Sequence, residues 1–302
     1  MDRLEAMSIL LLTVEKGSFT AAAKALGMPL PTVSRKVSDL ETHLGAQLLL
    51  RTTRKLSLTD AGLAYVAASR RILEEVAEAE RVASGEYDTP RGELVLTAPI
   101  LFGRLHLLPV VTDFLAAYPD ITVRLSLSDR NLHLLDEHLD MAVRIGALPD
   151  SSMVATRIGS MRMVVCASPN LLGSHGAPKR PEDLSSLPCV NFEPMSGASI
   201  WPFRRPGGAG GVDIAVTPRL SVTTAEAAVW AASQDVGATR VLHYQCAEAV
   251  RSGALRIVLP EFEPDPIPIH LIHAARGASP LKMRSFLDFA TTRLRHRLED
   301  VN

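Results

Sequence analysis

The chain has 302 residues, of which 47% are hydrophobic and 22% charged, proportions that exclude wholesale disorder and leave room for two or three domains of roughly 100–200 residues each. No apolar run approaches the ~20 residues of a membrane-spanning helix, acids stand among the first five residues where a secretory leader would be basic, and three widely spaced cysteines (Cys166, Cys189, Cys246) suggest a reducing compartment, so a soluble cytoplasmic protein is expected. The net charge is only −1, yet eight bases against five acids give residues 1–59 a charge of +3, and three against seven give residues 60–90 a charge of −4, a basic head followed by an acidic segment.

Leu4, Met7, Leu11 and Val14 recur at the spacing of one helical face, and Gly17 ends that helix. Ser18 is placed to cap a short second helix of small residues ending at Leu26-Gly27. A third helix is expected from about Pro31 to His43, with Val33, Val37, Leu40 and Leu44 as its buried stripe. Leu48–Arg51 and Lys55–Leu58 read as two short strands around a Thr52-Thr53-Arg54 turn. The set is a helix-turn-helix with a hairpin wing. In such a unit the third helix enters the major groove with its N-terminal residues on base edges. Here those residues are Leu30, Pro31, Thr32, Ser34 and Arg35, with Ser18, Thr20 and Lys36 beside them and Arg51, Thr52, Thr53 and Arg54 on the wing. Hydroxyls suit phosphate or base contacts, and arginine forks to guanine or phosphate. Small winged helices also mediate protein contacts, and helical pattern alone leaves that reading open.

Thr59 opens a long helix reaching about Glu86, in which Tyr65, Ala68 or Ser69, Ile72, Val76, Ala79 and Ala83 repeat every three or four residues. This narrow seam with charged flanks fits a two-helix coil, with Tyr65, Ile72, Val76 and Ala79 at the dimer axis. A helix packed on its own domain is the alternative. Asp88–Gly92 is a turn-rich hinge. Beyond it, apolar strands (Leu94–Thr97, Ile121–Leu127, Met141–Ile145, Met163–Cys166) alternate with helices (Leu105–Ala117, Ala225–Ala232), which implies α/β domains with parallel strands. Gly207–Gly211 reads as a hairpin tip, not a phosphate cradle, because GxGxxG spacing is missing. A helix over Leu281–Leu298 closes the chain.

Several strings resemble the signature of LysR-type transcriptional regulators: Gly17-Ser18-Phe19-Thr20-Ala21-Ala22-Ala23, Pro31-Thr32-Val33-Ser34-Arg35, Leu40-Glu41, Leu44-Gly45, Arg51-Thr52-Thr53-Arg54 and Leu58-Thr59-Asp60-Ala61-Gly62. Asp140–Gly146, Ala167-Ser168-Pro169, His175–Pro178, Val222–Ala228 and Lys282–Phe289 resemble the effector domain of the same family, so the likeness spans essentially the whole chain. It implies a winged helix-turn-helix over 1–59, a linker and dimerisation helix over 60–87 and an effector-binding region over 88–302. It further implies that this region consists of two α/β subdomains of periplasmic-binding-protein type, one of about 92–160 and 267–302 and the other of about 161–266. The partners it implies are a double-stranded operator in the form of an interrupted inverted repeat, further copies of the chain as dimer or tetramer, RNA polymerase at the promoter, and a small effector in the cleft between subdomains. No cofactor and no membrane are implied. Leu49 stands where an aromatic is usual, Thr223 where Asn is frequent and Asp235 where a Gly-rich turn is frequent; the last two are expected to border the cleft.

In open α/β sheets, ligands sit beyond the carboxyl ends of strands, where helix N-termini offer N–H groups. That rule selects Thr97, Ala98, Pro99, Ile100, Leu101 and Phe102 after the first strand, Ser128 after the second, and Arg144 and Gly146 after the third. Asn191, Trp201, Thr223, Thr224 and His243 are the candidates on the opposite lobe. Thr223 with Glu226 fits a capping box. Hydroxyls, an arginine and helix N-termini favour a small anionic effector, and Leu101, Phe102 and Trp201 an aromatic one. Each position also has a structural reading: a cap for Thr223, a core ring for Trp201, an ion pair for Arg144.

No nucleophile or metalloprotease motif is present, so catalysis is not expected. His133 and His138 are five apart, and His270 and His273 fall on opposite faces of a strand, so neither pair makes a metal site. Cys166, on an apolar strand, reads as a buried structural thiol. Two rival readings are a metabolite-binding protein or enzyme with a fused helix-turn-helix, and a regulator that needs no effector.

Overall fold

The computed structural model describes residues 1–51, 56–84, 89–130, 134, 139–148, 153–192, 200–205, 207, 210–274 and 280–299. The expectations for Thr52, Thr53 and Arg54, for 85–88, and for His133 and His138 fall outside these residues. The chain divides into two compact units, Met1–Gly92 and Glu93–Asn302.

The first unit contains helices α1 (Arg3–Lys16), α2 (Phe19–Leu26) and α3 (Leu30–Leu44), the antiparallel pair β1 (Leu49–Arg51) and β2 (Leu56–Leu58), and the long α4 (Asp60–Ser84). Asp2 caps α1, and Ser18 Oγ accepts the Ala21 N–H at 3.0 Å to cap α2. The core joins Ile9 and Leu10 of α1, Ala22 and Ala23 of α2, Val33, Val37 and Leu40 of α3, Leu48, Leu49 and Val66. Two expectations about faces need correction. The buried side of α1 is Ala6, Ile9, Leu10 and Thr13, whereas Leu4 is 40% exposed. So many of this helix's residues are apolar that periodicity cannot choose a side, and the Thr13 hydroxyl is buried at no loss because it donates to the Ile9 carbonyl at 2.7 Å. Leu44 is exposed, and Leu48, just beyond the helix, takes the core place expected of it. The turn into α4 is tightly built. Thr59 Oγ1 donates to the Gln47 carbonyl at 2.7 Å and accepts the Gly62 N–H at 2.9 Å. A Cβ at Gly62 would stand 2.0 Å from the Leu48 carbonyl oxygen, so only glycine fits there.

The second unit is two-lobed. Lobe I has the sheet order β4 (Ile121–Leu127), β3 (Gly92–Ala98), β5 (Met141–Ile145), β14 (Ile267–Ala274), β6 (Met153–Met161). Lobe II has the order β11 (Pro218–Val222), β8 (Cys189–Phe192), β12 (Ala238–Leu242), β7 (Met163–Ala167), β13 (Arg256–Val258). The sheets are mixed where parallel strands were expected. β3 runs parallel to β5, and β11 and β12 run parallel to β8, but β14 and β7 are antiparallel to their neighbours. β7 and β14 each follow a crossing from the other lobe, without the helical return that makes successive strands parallel. A separate antiparallel hairpin, β9 (Ile200–Arg204) with β10 (Gly211–Ala215), covers lobe II and turns in the glycine-rich segment, as the sequence suggests.

In lobe I, α5 (Ile100–Phe102) continues through a π-helical stretch (Gly103–Leu107) into α6 (Leu108–Ala117). Together they form an 18-residue apolar helical stretch of mean hydropathy 1.5, long and apolar enough to cross a membrane, contrary to the expectation. Here it is a core element: Phe102, Leu107, Val110, Val111 and Phe114 pack with Met283, Phe286, Ala290, Leu294 and Leu298 of α10 (Leu281–Glu299). The remaining helices, α7 (Pro169–His175), α8 (Ala225–Ser233) and α9 (His243–Arg251), belong to lobe II. Cys166, Cys189 and Cys246 are free and buried there, and burial pushes the Cys189 thiol up to about 12.

Candidate functional site

The N-terminal end of α3 is the chemically active end of the first unit. With Val33, Val37 and Leu40 fully buried, the opposite side presents Leu30, Pro31 and Arg35 to solvent and leaves Thr32 and Ser34 half-buried at its edge. Thr20 is exposed on α2, and Ser18 is committed to capping it. Lys36 forms an ion pair with Glu5 of α1, so its charge braces α3 against α1. The wing is fixed from beneath: the Glu41 carboxylate accepts the backbone N–H groups of Leu48 at 2.8 Å and Leu49 at 3.0 Å. On α4, Gly62, Val66 and Ser69 face the unit's own core. Tyr65 and Val76 stay half-buried, and Ile72 (38%) and Ala79 are exposed.

In the second unit, the ends of β3, β4 and β5 meet around the start of α5. Ser128 N–H donates to the Ala98 carbonyl at 2.9 Å, Thr97 is 3% exposed, and Arg144 is half-buried, its guanidinium pKa lowered by that burial. Gly146 follows β5 with φ of 122°. The N-terminus of α5 has its own anion: Asp129 Oδ1 accepts the Ile100 N–H at 3.0 Å. Pro99 and Ile100 remain at the surface of this turn. Leu101 and Phe102 do not line an opening; both are buried in the lobe I core, and Phe102 packs edge-on against Tyr244 at 5.8 Å between ring centroids.

From lobe II, Asn191 (6% exposed), Thr223 (exposed) and His243 (half-buried) stand at the carboxyl ends of β8, β11 and β12. Three expectations need correction. Trp201 is 1% exposed, sealed beneath the β9–β10 hairpin with Phe203, Leu171 and Leu187, and so presents no ring to a cleft. The cap of α8 is Thr224, which accepts the Ala227 N–H at 3.3 Å, not Thr223. Glu226 instead reaches across the lobes to Arg104 at 2.5 Å, which leaves Thr223 uncommitted to capping. Asp235, in a left-handed turn with φ of 63°, precedes β12 at the end away from the cleft, and its carboxylate accepts from Ser168 and Asn170. Glycine is spared because aspartate tolerates this conformation and caps its neighbours.

Sequence reasoning missed Arg240. It lies mid-strand in β12, partly buried, with its pKa drawn down to about 10 by burial. A lone arginine inside an apolar strand was the signal that could have found it.

The first unit thus has the build of a major-groove reader and the second that of a two-lobed ligand binder, and their union in one chain defines a ligand-responsive DNA-binding protein. Comparison with known proteins specifies the family. Residues 4–63 match the description "Bacterial regulatory helix-turn-helix protein, lysR family", and residues 88–295 match "LysR substrate binding domain". An HTH-type transcriptional repressor of Pseudomonas aeruginosa (strain UCBPP-PA14) is 37% identical over 96% of this chain and 91% of its own. CrgA of Neisseria meningitidis, a LysR-type regulator, is 31% identical with a TM-score of 0.61, covering 96% of this chain and 98% of its own. The Vibrio cholerae virulence activator AphB is 28% identical with a TM-score of 0.60 at the same coverage. The chain belongs to the LysR-type transcriptional regulators, DNA-binding proteins with a helix-turn-helix head and an effector-binding body.

Proposed function

We propose that this regulator reads its operator through the N-terminal end of α3, acting as a dimer or tetramer on an interrupted inverted repeat in the cytoplasm, and meets RNA polymerase at the promoter. The carrying observation is the two-sidedness of α3: an apolar side wholly consumed by the core, and an N-terminal end where Leu30, Pro31 and Arg35 are exposed and Thr32 and Ser34 half-buried. Arg51, Thr52, Thr53 and Arg54 of the wing supply phosphate contacts. The bodies of the two copies set the spacing of the heads. A small effector between the lobes, held by Thr97, Ser128, Arg144, Asn191, Thr223 and His243, changes that spacing by favouring one lobe arrangement over another.

Arg35 carries the test. Arg35→Ala should weaken specific binding by about 1–3 kcal/mol and relax base preference, while leaving affinity for random duplex nearly unchanged. Fluorescence anisotropy on an operator fragment and a shuffled duplex, each across a salt series, measures both. Equal losses on both duplexes would make Arg35 a phosphate contact; no loss on either would remove it from the interface.

A further inference from the structure

Three strands of lobe II set a polar row on an otherwise apolar face. Ser221 of β11 pairs with Asn191 of β8, and the parallel register of β8 with β12 (Cys189 with Ala238, Val190 with Thr239) carries the row on to Arg240. Arg240 in turn pairs with Val165 of β7, so its side chain shares a face with Val165, Ala238 and Leu242. At the N-terminal end of these strands that face is closed by the apolar cluster around Trp201. At the other end Leu242 and Met163 join the core that lobe I shares. Arg240 therefore sits between a sealed half of the sheet and the inter-lobe edge, about 7 Å back from Leu242, within the reach of an extended arginine. Among the described residues no carboxylate pairs with it, whereas Arg104, Arg162 and Arg204 all have acid partners. A guanidinium drawn partly out of water without an acid is costly to the empty protein. The N-terminus of α5 is already filled by Asp129.

We propose that Arg240 is the anchor for the acidic group of the effector, and that the effector is a small organic carboxylate held by the fork of Arg240 with Asn191 and Ser221 beside it. This rests on the cleft reading above. The Asp129 carboxylate at the start of α5 on the facing lobe disfavours an anionic group beside that turn, so the class is a carboxylate whose remainder next to α5 is neutral or cationic.

The test uses the full chain, with calorimetry and thermal melting against aliphatic and aromatic carboxylates and their primary amides. The expected result is that a carboxylate stabilises the protein and its amide does not. Arg240→Met should weaken that carboxylate by about tenfold or more, about 1.4 kcal/mol, and Arg240→Lys by less. Without ligand, Arg240→Met should melt at or above the wild type. Unchanged binding in Arg240→Met together with lost binding in Thr223→Trp keeps the cleft and overturns the anchor. Unchanged binding in both overturns the cleft reading as well. Amides binding as well as acids, or no carboxylate binding, overturns the anionic class. An empty Arg240→Met that melts well below the wild type makes the arginine structural and also overturns the proposal.

Discussion

His106 shows how one side chain can tie the stability of the body to pH. The π-helical stretch carries it into the core, 6% exposed, with its ring 5.0 Å from Phe102 and 5.4 Å from Tyr244. Among the described residues its Nε2 has no hydrogen-bond partner. Burial, and then the charge of Arg297, pull its pKa from 6.5 down to about 4. The folded protein thus binds this proton less readily than the unfolded chain. Its contribution is fully present above pH 6.5 and is lost as pH falls from there toward 4, on the order of 3 kcal/mol over the whole interval. Urea midpoints between pH 7.5 and 4.5 should therefore fall more steeply in the wild type than in His106→Phe, which keeps the aromatic packing with Tyr244. Parallel pH profiles would place the acid sensitivity in other groups.

At the scale of the element, α4 carries one apolar stripe that its own unit uses only in part. Near its start Gly62, Val66 and Ser69 serve the unit's core, with Tyr65 packed against it, and further along Ile72 is exposed at 38% with Val76 half-covered. Ile72 also borders a surface hollow with Met1, Asp2 and, from α1, Arg3, Leu4 and Met7, so apolar residues of α1 that the core does not use adjoin the linker. If that stripe is the dimer axis, Ile72→Glu with Val76→Glu sets like charges against each other in the coil, and light scattering should show halved mass with a matching loss of operator affinity. An unchanged mass would move the dimer contact to the α/β body. The cap by Ser18, the Val33, Val37 and Leu40 stripe of α3 and the strand limits of β4 and β5 were legible, because all follow from local periodicity and caps. The side of α1 that turns inward was not legible, because apolar residues surround that helix. Nor was the fate of Trp201, Thr223 or Glu226, because a hairpin folding over a sheet and an ion pair spanning 122 positions of chain leave no mark on neighbouring residues. The mixed sheets escaped for the same reason: strand direction is set by where the chain re-crosses, which periodicity does not record.

For the molecule as a whole, the question is what holds two lobes in a definite arrangement while allowing another. Two crossings join them, one between β6 and β7 and one between β13 and β14. Arg162 on the first and Glu263 on the second form a bidentate pair, Nε and Nη2 each 2.8 Å from a carboxylate oxygen. The glutamate is only 12% exposed and the arginine 34%, so the pair is drier than the exposed Arg104–Glu226 contact on the lobe surfaces. Exposed pairs are worth up to about 1 kcal/mol. A bidentate, half-desolvated pair is stronger, and removing one partner leaves the other charge stranded. Arg162 is also anchored through its backbone, its carbonyl accepting the His243 N–H at 2.9 Å where α9 begins. The clamp thus links both crossings to the end of β12, beside the cleft. Arg162→Ala should lower the unfolding free energy by about 1–3 kcal/mol, with Glu263→Ala costing a similar amount and the double variant little more than either. Small-angle scattering should show a broader distribution of lobe separations, and the head, whose core is its own, should melt unchanged. Additive losses in the double variant, or a scattering profile identical to wild type, would reduce the pair to a surface bond and leave lobe packing through Phe102, His106 and Tyr244 as what sets the arrangement.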